Sequence, residues 1–157
     1  GDLDPALHAH LHRQLGWSLE EIDERLNRDS GMKGLLGQSD MRELERRLEE
    51  DDPRARLAMD VYCYRLRKYV GAYYAALGRV DAIAFTGGVG EHAPGVRAQA
   101  LAGLERLGIR IDPEANRAQR SGAFTVSAED SEVAVLVVPT NEEWQIAREA
   151  LAVVRDS

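Results

Sequence analysis

The run Val80-Asp81-Ala82-Ile83-Ala84-Phe85 delivers the chain into Thr86-Gly87-Gly88-Val89-Gly90-Glu91-His92-Ala93-Pro94. Apolar, β-branched and aromatic residues followed by glycines and a proline predict a buried strand, a glycine loop and a helix start, which is the grammar of an α/β domain. The glycines let the backbone turn through positive φ and approach a ligand closely. Pro94 sits where a first helical turn tolerates it, so backbone N–H groups and the positive end of the helix could face a phosphate. Read alone, the segment serves equally well as a tight strand-to-helix turn with no ligand.

The first half of the chain reads as helical. Asp4-Pro5 opens an amphipathic stretch to about Leu15, stopped by Gly16, and Ser18 with Glu21 forms a capping box for a helix ending near Arg28. Residues 30–39 hold Gly31, Gly34 and Gly37 without a helical period and read as a loop. Asp40 with Glu43 predicts another capping box and a helix to about Glu50. Asp52-Pro53 then starts a long helix, with apolar residues at Leu57, Val61, Tyr64, Leu66, Tyr69, Val70, Tyr73 and Leu77, closed by Gly78. A helix of that length is expected to pack along most of itself against the sheet containing Val80–Phe85.

Beyond the glycine loop, the pattern predicts a helix from Pro94 to Leu107 closed by Gly108, and a short strand at Ile109-Arg110-Ile111. A strand at Ala123–Val126, a buried strand at Val133–Val138 and a final helix to about Val154, capped through Pro139-Thr140-Asn141, complete the chain.

With 157 residues and 44% hydrophobic content, the chain is read as a single domain, 1–157. A formal net charge of −7 argues against a nucleic-acid partner, which would require a basic stripe. No stretch is apolar for long enough to cross a bilayer, so no membrane partner is expected. Cys63 is the sole cysteine, which excludes an internal disulfide framework and fits a reducing, cytoplasmic setting.

Two motifs compete for a functional reading. Gly88-Val89-Gly90-Glu91-His92-Ala93 fits the dinucleotide fingerprint G-x-G-x-x-G/A, and Asp112 follows about 20 residues on, where a ribose-binding acid belongs. In that fold the fingerprint follows the first strand and several βα units come after it, whereas too little chain remains here. His8, His10 and His12 form the histidine cluster. His8 and His12 share a helix face at chelating spacing, but no third ligand accompanies them, and a solvated helix face is the better reading.

A third comparison covers nearly the whole chain. The strand and Thr86-Gly87-Gly88-Val89-Gly90-Glu91, followed by Val96-Arg97 and by Gly103-Leu104-Glu105-Arg106-Leu107-Gly108-Ile109, closely resemble the acetate kinase (acetokinase) family. Three more segments agree in order: Gly1-Asp2-Leu3-Asp4-Pro5 with the family's G-D-[IL]-D-P, Ser39-Asp40-Met41-Arg42 with S-D-[MF]-R, and Pro139-Thr140-Asn141-Glu142-Glu143 with P-T-[ND]-E-E. The resemblance implies an α/β fold, the C-terminal lobe of the actin, Hsp70 and sugar kinase superfamily, helix-rich with a small mixed sheet.

It also implies ATP or ADP and Mg²⁺ as cofactors. Gly88, Val89, Gly90, Glu91 and His92 match one wall of the family's adenosine site, and Asp40, Met41 and Arg42 match the other. Glycines admit close approach, Val89 and Met41 offer apolar faces to a purine, and Arg42 can stack on a base or pair with oxygen acceptors. A branched side chain at Gly90 is then expected to push the nucleotide away. Where many members carry asparagine, this chain carries His92, which keeps one donor and one acceptor. Trp144, where a leucine-like residue is common, reads as a packing variation.

Glu142 matches the family's magnesium-associated glutamate, and a hard oxygen ligand suits Mg²⁺ shared with phosphates. On local grounds alone Asp40 is an N-cap, and Glu142 and Glu143 are first-turn acids favouring the helix dipole. The parent reaction implied is transfer of the ATP γ-phosphoryl group to acetate, giving acetyl phosphate and ADP; propionate and butyrate kinases share the fold. Family members take their catalytic groups and acetate pocket from sequence upstream of these motifs, so no catalytic residue is assigned and little activity is expected of the chain alone. The resemblance further implies a homodimer. A nucleotide-binding or dimerisation module without catalysis is the alternative.

Overall fold

The computed structural model describes residues 3–118 and 120–155 of the protein. In chain order it forms α1 (Leu7–Leu15), α2 (Leu19–Arg28), α3 (Gly31–Leu36), α4 (Met41–Glu49), α5 (Pro53–Leu77), β1 (Ala82–Phe85), α6 (Gly87–His92), α7 (Pro94–Leu101), a 3₁₀ turn (Glu105–Leu107), α8 (Pro113–Arg117), β2 (Phe124–Thr125), β3 (Ala134–Val137) and α9 (Glu142–Arg155). The chain divides into two compact units, the first running to Tyr62 and the second beginning at Cys63. No helix among the described residues is long and apolar enough to cross a membrane.

Helix ends in the first unit follow their caps. Gly16 closes α1 in the left-handed conformation at φ 70°, and Ser18 forms both halves of the capping box with Glu21. Glu21 N–H donates to Ser18 Oγ at 3.2 Å while Ser18 N–H donates to Glu21 Oε2 at 2.8 Å. Ser18→Ala is expected to cost about 1 kcal/mol, read as a lower urea midpoint by circular dichroism.

Two local expectations in this unit fail. Residues 31–36, read as a glycine loop, form the short helix α3. Gly34 and Gly37 N–H groups close helical bonds to Ser30 and Lys33 at 3.3 and 2.7 Å, Lys33 pairs with Asp29 at 2.8 Å, and Leu36 is buried. A Cβ on Gly34 would stand 3.1 Å from the Asp29 carbonyl oxygen, a tight contact that glycine avoids. Packing thus overrides the low helix propensity of glycine. The Asp40–Glu43 box is replaced as well: Asp40 caps Arg42 N–H at 2.9 Å, while the Glu43 carboxylate turns to Arg46 and Arg47. Those two guanidiniums push its pKa down to about 2. In this unit Ile22, Leu36, Leu44, Ala55, Ala58 and Met59 are buried.

Helix α5 starts at Pro53 behind an Asp52 cap, with Arg54 N–H donating to Asp52 Oδ1 at 2.8 Å, and stops at Gly78, φ 72°. Its buried face differs from the one expected. Ala55, Ala58, Met59 and Cys63 are buried and Val70 and Tyr74 pack on the sheet core, whereas Leu57, Val61, Tyr64, Tyr69, Tyr73 and Leu77 are exposed.

In the second unit the sheet order is β1-β3-β2, with β1 parallel and β2 antiparallel to β3. The small mixed sheet matches expectation, and so do β2 and β3. Val133, Val135 and Val137 alternate inward from the central strand onto Leu101, Ile109 and Val126. β1 is less buried than its composition predicts: it lies at the sheet edge, with Ala82 and Ala84 exposed and Ile83 and Phe85 half-buried. The Pro94 helix also ends early, at Leu101. Gly103 at φ 83° breaks it, and Gly108 at φ 74° closes the 3₁₀ turn that follows. The Ile109–Ile111 strand reduces to a single antiparallel bridge between Ile111 and Ser127.

Candidate functional site

A parallel pair sends both strands out at the same sheet edge, where open α/β sheets place ligands. Phe85 stands opposite Val137 in the β1–β3 register, and Val138 N–H donates to the Phe85 carbonyl at 2.8 Å. Segments far apart in sequence therefore emerge together: Thr86–His92 from β1, and Pro139–Glu143 from β3.

The glycine segment is not an open loop. Gly87 takes up φ 70° directly after β1, and residues 87–92 wind into α6. Its glycines have different jobs. A Cβ on Gly90 would lie 3.0 Å from the Phe85 carbonyl carbon, so this buried position is glycine because α6 crosses the end of its own strand. Internal packing thus accounts for Gly90, and a branched residue there would collide with β1 whether or not a nucleotide binds. A Cβ on Gly88 would meet nothing within 4 Å, and Gly88 is exposed. Gly88 is where a ligand has open access to backbone. Val89 is half-buried, and His92 is exposed at the last position of α6.

Beneath α6 lies a residue that sequence reasoning did not assign a role. Arg97 on α7 is 2% exposed, and its guanidinium donates to the Gly90 and Glu91 carbonyls at 2.7 and 3.0 Å and to Asn116 Oδ1 and O at 2.8 and 2.7 Å. Asn116, 3% exposed at α8, donates in turn to the Pro94 carbonyl at 2.9 Å. Desolvation lowers the Arg97 pKa, yet a guanidinium remains charged at neutral pH. The sequence signals were its place in the family-like Val96-Arg97 pair and, at helical spacing, Ala100 and Leu101, both buried.

Glu91 turns across the sheet edge to the other emerging segment. Its Oε1 accepts from Thr140 N–H at 2.9 Å and from Thr140 Oγ1 at 3.1 Å. The Thr140 N–H above all holds the Glu91 carboxyl below its ordinary value of 4.5, against an opposing desolvation contribution. Because the folded value is depressed, the stability this bond adds is present above the ordinary carboxylate range and is lost as pH falls through the lowered value.

Asn141 caps α9, with Trp144 N–H donating to its Oδ1 at 3.3 Å, and Glu142 is the first residue of the helix, exposed to solvent. Among the described residues no group of three or more His, Cys, Asp or Glu side chains could hold a metal as a protein cage. An exposed carboxylate such as that of Glu142 would suit Mg²⁺, which keeps several waters and takes its remaining oxygens from phosphates. Trp144 does not pack in a core: it is 56% exposed, with the Arg148 guanidinium 4.8 Å from its ring centre.

In the first unit Asp40 caps α4 and pairs with Arg42 at 2.9 Å, and that pairing lowers the Asp40 pKa. The Arg42 side chain is 89% exposed, so the faces of its guanidinium are open to stacking. Asp112, the acid of the dinucleotide fingerprint, caps α8 through Glu114 and Ala115 N–H groups at 2.8 and 3.0 Å. Of the histidines, His12 bonds the Trp17 carbonyl at 2.7 Å, and His8 and His10 are exposed. Gly1 and Asp2, which open the first family-like segment, lie outside the described residues.

Comparison with known proteins agrees with the geometry. The family model for the acetokinase family matches residues 1–148. The acetate kinase of Streptomyces avermitilis is 55% identical over 154 residues, covering 98% of this chain and 38% of its own length; that of Streptomyces coelicolor is 54% identical over 157 residues, covering 100% and 39%. Among solved structures, Porphyromonas gingivalis acetate kinase superposes with a TM-score of 0.87 at 41% identity, over 98% of this chain and 39% of that one. A propionate kinase from Francisella tularensis gives 0.85 at 36% identity, over 95% and 38%. The chain therefore spans 38% to 39% of the length of these relatives. Its helix-rich α/β fold is the one shared by acetate and propionate kinases, and the chain belongs to the acetokinase family.

Proposed function

We propose that this chain is the nucleotide-binding portion of an acetate kinase, which transfers the γ-phosphoryl group of ATP to acetate and releases acetyl phosphate and ADP. The observation that carries the reading is the joint emergence of Thr86–His92 and Pro139–Glu143 at one edge of the β1–β3 pair, bonded through Glu91 and Thr140. Gly88, Val89, Gly90, Glu91 and His92 are proposed for the adenosine end. Asp40, Met41 and Arg42 of the first unit carry the same proposal on the family resemblance. Open space over Gly88 and the exposed guanidinium of Arg42 fit such a ligand.

Glu142 is proposed as a contact to Mg²⁺, which supplies positive charge to the nucleotide phosphates when bound. This chain's own part is to bind and orient the nucleotide; no catalytic residue is assigned to it. Propionate or butyrate as acceptor is the neighbouring reading, supported by the likeness to a propionate kinase. Homodimerisation is proposed through exposed apolar residues of α5, among them Tyr64, Tyr69, Tyr73 and Leu77. A cytoplasmic setting is inferred from the single, buried Cys63.

Thermal shift tests the reading. Mg-ATP and Mg-ADP at about 100 times Kd are expected to stabilise the protein by about 2.7 kcal/mol, and NAD is expected to leave it unchanged. Stabilisation by NAD alone overturns the proposal.

A further inference from the structure

We propose that Glu91 is a positioning residue that fastens the Glu142-bearing segment to the glycine segment, so that metal and nucleotide are held in one frame; this rests on the nucleotide reading above. Glu91 joins the adenosine end of the proposed site through its place in α6, while its carboxylate is engaged elsewhere. Its Oε1 accepts both the N–H and the hydroxyl of Thr140 across 49 residues of sequence. Thr140 lies two residues before Glu142, on the turn that Asn141 caps.

Glu91 is itself held from the opposite side, because Arg97 takes its carbonyl and that of Gly90. Its main chain is thus fixed to α7 and its side chain is directed at the β3 exit. Both strand exits are stapled by one residue, and the two ends of the proposed site share that residue. Removing the staple frees the turn before Glu142 and leaves the open surface at Gly88 as it was.

The experiment is calorimetric titration of ADP, with Mg²⁺ and in its absence, into the wild-type chain, Glu91→Ala and Glu91→Gln. Glu91→Ala is expected to weaken Mg-ADP binding by about tenfold or more while changing metal-free ADP by less than about threefold. Glu91→Gln keeps an acceptor oxygen for Thr140 and is expected to recover much of the loss. Hydrogen exchange at the Thr140 amide, measured without nucleotide, should accelerate in Glu91→Ala. Equal weakening with and without Mg²⁺ would show that Glu91 touches the nucleotide directly and overturns the inference, as does unchanged exchange at Thr140. A wild-type chain that binds neither form overturns the nucleotide reading and the inference with it.

Discussion

Replacing Arg97 with alanine should lower the unfolding free energy by about 4 kcal/mol. The side chain is 2% exposed, and its four hydrogen bonds end on the Gly90 and Glu91 carbonyls and on two oxygens of Asn116. Alanine leaves these acceptors without a donor in a region closed to water. Each unsatisfied buried group costs about 1–3 kcal/mol, and the cavity adds to that.

Lysine at the same position keeps a charge but loses the planar fork that reaches α6 and α8 together, so Arg97→Lys is expected to cost about half as much. Urea titration followed by circular dichroism reads both values from the midpoint. A loss below about 1 kcal/mol for Arg97→Ala would mean that water replaces the guanidinium and that the clamp does not hold α6.

The Arg97 clamp marks where sequence reading ends. Signals that act within a few residues were legible: the Ser18–Glu21 box, the Asp52–Pro53 start, and the glycine stops at 16 and 78 all stand in the structure. The strands β2 and β3 were legible too, since alternating valines describe a buried central strand without outside help. Failures occurred where a distant partner decides. Leu36 is buried and draws a glycine-rich stretch into α3, against local propensity. On α5 the 3.6-residue period was present, but it could not say that Ala55 and Ala58 face inward while Tyr64, Tyr69 and Tyr73 face solvent.

The site divides in the same way. Motif order located the two segments at the sheet edge, and parallel pairing explains why they meet there. Nothing local announced that Glu91 bonds Thr140, or that Arg97 bonds the carbonyls of α6, because both bonds join residues whose proximity exists only after the strands pair. Glu43 shows the reverse error: it satisfies the capping pattern, yet two arginines one turn on compete for it and win.

The difference between Gly88 and Gly90 gives the sharpest test of the nucleotide assignment. Gly90→Val is expected to destabilise the fold by about 2–3 kcal/mol, since even the first side-chain carbon would lie 3.0 Å from the Phe85 carbonyl carbon. Loss of binding in that variant would therefore say nothing about ligand contact. Gly88→Ala introduces a methyl group into open space on a helical turn, where alanine outranks glycine by about 1 kcal/mol, so stability should hold or rise. If the nucleotide approaches this backbone, the same methyl group stands in its way, and ADP affinity should fall about tenfold, or 1.4 kcal/mol. A more stable protein that binds its nucleotide less well is a combination that damage to the fold cannot produce. Gly88→Ala with unchanged ADP affinity would remove α6 from the binding surface and leave its glycines to internal packing alone.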